Sequence, residues 1–398
     1  LNNLKSEPIV VLGGGFGGLA TVIALLARSD GTPVILIDKG SRFLFKPLLY
    51  ELLSEELQLW EVAPKYSALA AELGFIFLQD IVIEIDHINR KLITSSRSEL
   101  TYSQLVISTG VTTDYSCVKG LKEYAYGFSN LNDLYSIQQL VNEINSSSKY
   151  RNPLLISGAG PTGVELACKI SDLVKDKLEI YLIDKGSKIL QSCKSFNREK
   201  AIEAISKRNI KIYLNHFIKS IDKNNIELVN INNQNSNPQI INYSGLVWTA
   251  ALKSDSLRLL HYFFKGNNKI QVNNFLQVNK CQNIFFVGDI NSVEENPFPS
   301  SAQVAMQQGF LTAQNIISLR KGGQLKSFEF EDRGEMLSLG YGNASLTGYG
   351  FTLAGSLAFE IRRLVYLMRM PGRNVSVTST GSWLFSKTSI NRLFSQKP

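Results

Sequence analysis

The 398-residue chain is 44% hydrophobic and 10% aromatic, a balance that excludes a disordered protein and gives enough length for two or three folded domains. No run of eighteen apolar residues occurs, so no membrane-spanning helix is expected, and the opening LNNLKSEP lacks the charged-then-apolar layout of a secretory signal. The net charge of +8 is unevenly placed: Arg362, Arg363, Arg369, Arg373, Lys387, Arg392 and Lys397 follow Ile361 with no Asp or Glu among them, which suits an anionic surface, either membrane or nucleic acid.

In chain order, PIVVLGGGFGG comes first. Its β-branched run breaks at Gly13-x-Gly15-x-x-Gly18, with Phe16 and Gly17 inside the turn, and Leu19, Val22, Ile23 and Leu26 then recur at helical spacing. A strand, a tight turn and a helix are predicted. The three glycines suit a sharp turn, close approach of backbone to a pyrophosphate, and close helix–strand packing. The next strand, PVILID, ends in Asp38, 20 residues past Gly18, where a carboxylate grips a ribose hydroxyl. Together these features predict a dinucleotide site.

HINRKLITSSRSELTYSQ (87–104) reads as a hairpin, and SQLVISTG (103–110) as a buried strand ending at Thr109-Gly110. LLISGAGPTGVELACKI then repeats the first design with Gly158, Gly160 and Gly163, and LEIYLID ends in Asp184, 21 residues past Gly163. Two cradles in one chain point to electron transfer between a tightly held flavin and a diffusible nicotinamide cofactor. Asp184 favours the free 2′-hydroxyl of NADH. Lys185 and Lys188 soften that preference, so NADH or NADPH stays open.

The Asn-rich stretch 222–245 reads as a hairpin with no chemistry. NIFFVGD (283–289) reads as a strand ending at Gly288-Asp289. An acid at the carboxyl edge of a parallel sheet lies where ligands bind, so Asp289 is expected to meet the ribityl chain of a flavin. The strands near 105 and 285 read as returns to the first domain on either side of an insertion. The first turn is therefore expected to hold FAD and the second NAD(P)H.

PFPSSAQVAMQQGF (297–310) reads as a proline-rich loop entering a helix, with Gln303 and Gln307 on one face. Residues 348–370 place Leu353, Leu357, Ile361, Leu364, Val365 and Met368 on one helical stripe, and GSWLFSKTSINRLF (381–394) mixes Trp and Phe with basic residues. This is the pattern of helices lying in a bilayer interface; packing on the body or on a twin subunit is the other reading. Cys117, Cys168, Cys193 and Cys281 form no C-x-x-C, so reduced thiols and no metal are expected. His87, His216 and His261 lie outside every motif.

These residues resemble two-dinucleotide-binding-domain flavoproteins, and more narrowly the type II NAD(P)H:quinone oxidoreductases. The resemblance rests on FLFKPLLYELL (43–53), GPTGVELA (160–167), VWTAA (247–251), FFVGD (285–289) and SAQVAMQQG (301–309). FKPLLYELLSEELQLWEVAPKY is nearest to the plant and cyanobacterial branch, which reduces naphthoquinones including demethylphylloquinone. The implied fold class is α/β, with two Rossmann-like dinucleotide-binding domains, the second inserted in the first, and a C-terminal amphipathic membrane-docking region. The expected boundaries are 1–120 and 252–325 for FAD, 121–251 for NAD(P)H, and 326–398 for membrane docking and quinone access.

The resemblance extends the flavin site to Lys39, Lys46, Val82, Ala302, Gln303 and Val304. It extends the nicotinamide site to Pro161, Thr162, Glu165, Thr249 and Ala250. Glu165 is implied to contact the nicotinamide half, and the amides of Gln303 and Gln307 to donate to a quinone carbonyl. The implied partners are a membrane quinone and an anionic membrane surface; no nucleic acid is expected, and a homodimer is compatible with an exposed tail helix. The implied place is the cytoplasmic side of a membrane, thylakoid or plasma membrane if the source is cyanobacterial. Two departures stand out. Ala251 replaces a usual glycine. Lys46 replaces a Gln common in respiratory relatives, either as a cation beside the flavin or as a solvated surface lysine. The source of the quinol protons is not named by the sequence. The alternative is a soluble flavoprotein reductase with a protein or other non-quinone acceptor.

Overall fold

The computed structural model describes residues 6–28, 31–147, 150–175, 177–233, 237–254, 263, 269–278, 281–293 and 298–372. Two parallel sheets organise it. The first has the strand order 277–278, 281–286, 104–107, 9–12, 34–38, 76–79, parallel except at the 277–278 edge. The second has the order 210–213, 180–183, 154–157, 245–248, all parallel. Strands Ile9–Leu12 and Leu154–Ser157 are buried along their whole length, as strands covered on both faces must be. Each strand that leads into a glycine turn lies inside its sheet, with its neighbours reached by connections in opposite directions. A crevice opens there at the carboxyl ends of the strands.

Strands of the first sheet come from both sides of the second sheet's segment, and a short antiparallel ladder, 112–113 with 252–253, joins the crossings. Helix Phe16–Leu26 packs behind the first turn, and helix Pro161–Val174 behind the second. Both expected hairpins form: 91–94 pairs with 99–101, and 225–230 with 239–242.

The C-terminal region departs from the expectation. The stripe running from Leu353 is not one helix: Ala344–Gly348 and Phe351–Gly355 pair as strands, and the helix begins only at Ser356, running to Met368. The β-branched and aromatic residues of GYGFT follow Gly348 and Gly350 and turn back on the preceding strand. The 381–394 segment lies outside the described residues. Among the described residues no helix is long and apolar enough to cross a membrane.

Candidate active site

The two cradles are built alike. Gly13 and Gly158 take positive φ of 95° and 110°, and a Cβ on Gly13 would stand 2.6 Å from the Ser108 carbonyl oxygen. Gly15 and Gly160 face open space. A Cβ on Gly18 or Gly163 would run into the carbonyl oxygen of Gly13 or Gly158. These are the turn, the approach and the packing that a pyrophosphate cradle requires. Pro161 starts the second helix, where its missing N–H costs nothing. Asp38 accepts from Gly14 N at 2.7 Å and Gly40 N at 2.7 Å. Asp184 repeats this with Ala159 N and Gly186 N, both at 2.6 Å. Each acid thus locks its turn while leaving lone pairs for a ribose.

The residues around the first turn fit FAD. Thr109 Oγ1 is buried without a hydrogen-bond partner among the described residues, and Gly110 has φ 64° with open space at its Cβ position. Asp289 follows Gly288, whose φ is 84°. Burial raises the Asp289 pKa, opposed by Lys269 and Lys46. Lys46 is exposed by surface area, yet burial lowers its pKa against the pull of Asp289 and Asp133. Both hold for a side chain at the rim of a concave cleft. Lys39 is exposed at the strand end and lines a cavity of about 520 Å³ with Thr112, Lys122, Asn130 and Lys253, a basic wall suited to an anionic cofactor. Phe16 packs edge-on to Phe43 and Phe45 at 5.3 and 5.2 Å.

Several expected ligand residues also serve the fold. Val82 and Val304 are 6% and 2% exposed and belong to the core, and the Val304 N–H donates to Ser301 Oγ at 3.2 Å as a helix cap. The Ala302 position opens that helix. Thr249 Oγ1 donates to Ser157 O at 2.9 Å, so its hydroxyl fastens the second turn while Ala250 stays half-buried beside it. Ala251 carries φ 49°, the backbone of the glycine it replaces.

Gln303 and Gln307, implied to donate to a quinone carbonyl, also hold backbone of the C-terminal region. Gln307 donates to Glu331 O at 2.8 Å and accepts from Glu331 N at 3.0 Å. Gln303 donates to Gly334 O at 3.2 Å and accepts from Arg333 N at 2.7 Å. The match is metric: four helical residues rise about 6 Å, and alternate residues of extended chain are about 6.6 Å apart. The two amides therefore clamp the 331–334 backbone. Gln308, which the sequence reading passed over, is fully buried and accepts from Gly288 N at 2.7 Å and Asn291 Nδ2 at 2.9 Å. It fixes the turn that carries Asp289.

Glu165 sits one helical turn into Pro161–Val174, 7% exposed. Ser338 N donates to its Oε1 at 2.7 Å, Arg362 Nη2 lies 3.7 Å from the same oxygen, and the Tyr50 hydroxyl bonds to it. Burial drives its pKa up to about 7 against Arg362, Ser338 and Tyr50. Arg362 is fully buried, ion-paired with Glu51 and donating to Pro47 O at 2.6 Å. Burial pulls its pKa down, but Glu51, Tyr366 and Glu165 outweigh that and raise it. Tyr66 and Tyr50 are also site residues missed in the sequence. The Tyr66 hydroxyl donates to Gly14 O at 2.7 Å. Tyr50 lies in the quoted FLFKPLLYELL, but nothing in that run points to Glu165. The four cysteines are free thiols, Cys168 buried and Cys117 exposed.

Comparison with known proteins agrees with this geometry. The model of the pyridine nucleotide-disulphide oxidoreductase family matches residues 7–309. The chain is 34% identical to demethylphylloquinone reductase NdbB of Synechocystis sp. over 94% of this chain and 95% of that one. It is 30% identical to alternative NAD(P)H-ubiquinone oxidoreductase C1 of Arabidopsis thaliana over 98% and 82%. Its fold overlays NDH2 of Plasmodium falciparum, solved with NADH, at a TM-score of 0.85 and 17% identity, covering 99% of both chains. The chain belongs to the pyridine nucleotide-disulphide oxidoreductase family and, within it, to the type II NAD(P)H:quinone oxidoreductases.

Proposed function

We propose that this protein transfers two electrons from NAD(P)H through FAD to a membrane naphthoquinone, demethylphylloquinone in the first instance, without pumping protons. The balance is NAD(P)H plus one proton plus quinone giving NAD(P)⁺ plus quinol. The chemistry supplied by bound FAD is the two-electron relay between the two substrates. The first cradle, with Asp38, Thr109, Lys46 and Asp289, holds it; the second, with Asp184 and Thr162, holds NAD(P)H. Glu165 is the group suited to give the extra proton, because an acid with pKa near the working pH both holds and releases one. The Gln303–Gln307 clamp shapes the quinone side by fixing the 331–334 segment.

The observation that carries the membrane acceptor is the orientation of helix Ser356–Met368. Leu357, Ile361, Leu364 and Met368 point out, while Arg362 and Arg363 point in. A helix with its charges inside and its apolar face outside is built to be covered, and each such side chain moved from water into lipid contributes about 1–2 kcal/mol. The same orientation removes Arg362 and Arg363 from the charges offered to an anionic leaflet, leaving Arg369 and the residues beyond it. The seat is peripheral, on the cytoplasmic face that holds NAD(P)H.

The test is anaerobic. NADH should bleach the visible flavin band of the purified yellow protein, and a naphthoquinone should restore it. Bleaching that only a protein acceptor reverses would replace this reading with the soluble-reductase one.

A further inference from the structure

Helix Ser356–Met368 is a lever with two faces one residue apart. Its outward side chains Leu357, Ile361, Leu364 and Met368 are 60%, 36%, 47% and 77% exposed, while Arg362 has no accessible surface. Arg362 reaches three places at once. It pairs with Glu51, donates to the carbonyl of Pro47, and stands 3.7 Å from Glu165, with its guanidinium stacked 4.9 Å from the Tyr366 ring.

The groups facing Glu165 come from three directions. Arg362 and Tyr366 come from the C-terminal helix, the Ser338 N–H from strand Glu335–Ser338, and Tyr50 and Glu51 from helix Leu49–Leu53. The neutral thiols Cys168 and Cys193 lie nearby, each with its pKa raised by burial. The one cation in this set, Arg362, and the backbone donor Ser338 both belong to the C-terminal segment that carries the outward apolar face. From the first 330 residues the acid takes the Tyr50 phenol, nearby thiols and the like-charged Glu51, while Lys169, four residues on in its own helix and fully buried, is paired with Glu56. Charge–charge interactions in a dry interior weaken steeply with separation, so a small lift of this helix changes how tightly Glu165 holds its proton.

We propose that lipid seating of helix Ser356–Met368 controls proton release from Glu165, with Arg362 as the positioning residue that transmits it. The inference rests on the membrane-seated reading above and adds regulation to it: the enzyme becomes competent to protonate quinone when it is on the bilayer. Off the bilayer the outward leucines and Met368 lose their cover, Arg362 withdraws from Glu51 and Glu165, and Glu165 keeps its proton.

The test uses the full chain with bound flavin, with and without phosphatidylglycerol vesicles. The Glu165 carboxyl is titrated by infrared spectroscopy, its band assigned by loss in Glu165→Gln. In parallel, reoxidation of the NADH-reduced protein is followed with a short-chain, water-soluble naphthoquinone that needs no bilayer for access. The expected result is a titration midpoint about one unit lower with vesicles than without, a tenfold change in proton affinity, with the midpoint of the rate moving alike. The paired variant Glu51→Gln/Arg362→Gln, which removes both buried charges together, should show no vesicle shift. A vesicle-independent midpoint in wild-type protein that floats with vesicles overturns the coupling alone. A shift that persists in the paired variant overturns the role of Arg362. Absence of flotation overturns the membrane seat itself, and the coupling with it. The wild-type comparison decides the coupling even if the paired variant does not fold.

Discussion

Behind the first glycine turn, helix Phe16–Leu26 is clasped by helix Ala302–Arg320, with Gly17 against Val287 and Gly309 against the Gly17 carbonyl. Tyr66 donates to Gly14 O, Ser108 Oγ donates to Gly13 O at 2.7 Å, and Phe16, Phe43 and Phe45 close an aromatic wall. Behind the second turn the corresponding carbonyl, on Ala159, is met by a backbone donor, Leu190 N, at 2.8 Å, and the helix carries Glu165, Lys169 and Asp172 toward the C-terminal segment. One backbone design therefore serves two purposes. Both cradles are fastened by a hydroxyl from a distant strand end, Ser108 in the first and Thr249 in the second. The first adds the Tyr66 phenol and an aromatic wall, as retention of a cofactor demands; the second is surrounded by ionisable groups, as exchange of a substrate and movement of protons demand.

Damaging one cradle at a time separates the two roles. Gly18→Ala should yield colourless protein, because its Cβ enters the Gly13 carbonyl, a clash on the order of 3 kcal/mol or ~10²-fold in retention. Gly163→Ala should stay yellow and lose NADH bleaching by a similar factor. Loss of flavin from Gly163→Ala, measured by absorbance after gel filtration, would merge the two roles.

Glu165→Gln should slow quinone reoxidation by about 10²-fold while leaving flavin retention intact. The sign of its pH dependence follows from the raised pKa: Glu165 is protonated below about 7 and loses its proton as pH rises through that value. Wild-type reoxidation should therefore fall above pH 7, and the variant should be flat there. A wild-type rate that rises with pH across this window contradicts the assignment.

Tyr66→Phe removes one buried hydrogen bond to the first turn, worth about 1 kcal/mol net. Flavin dissociation should quicken ~5-fold, with KM for NADH unchanged. An altered KM would mean that the lock is shared between cradles.

Both cradles were legible because their chemistry is local. A glycine triplet, a β-branched run before it and an acid 20 or 21 residues later specify a strand, turn, helix and strand without help from the rest of the chain. Gln303 and Gln307 show the limit. Their spacing fixes a shared helix face, but their partner is irregular backbone 24–31 residues further on, which no periodicity announces. Arg362 shows it more strongly: an arginine in an apolar stripe reads as solvated, and only pairing with groups far off in the chain, Glu51 and Glu165 with the Pro47 carbonyl, turns it inward. That pairing also reverses the helix, so the apolar stripe faces outward. Sequence periodicity identifies such a stripe without saying what covers it.

The smallest expected effect concerns the return to the second cradle. Ala251 sits at φ 49°, a left-handed conformation costing a residue with a side chain about 1 kcal/mol. Ala251→Gly should raise the thermal midpoint slightly and leave flavin content unchanged; destabilisation would show that the Ala251 methyl packs usefully.

Sequential rapid mixing follows the electron relay directly. Protein carrying its purified flavin is first reduced with NADH under anaerobic conditions, freed of excess nucleotide, and then mixed with demethylphylloquinone in vesicles. The oxidised flavin band should return in one two-electron phase, yielding one quinol per flavin with no nucleotide present. A flavin that stays reduced, or that reoxidises only while NAD⁺ occupies the second cradle, would contradict that relay.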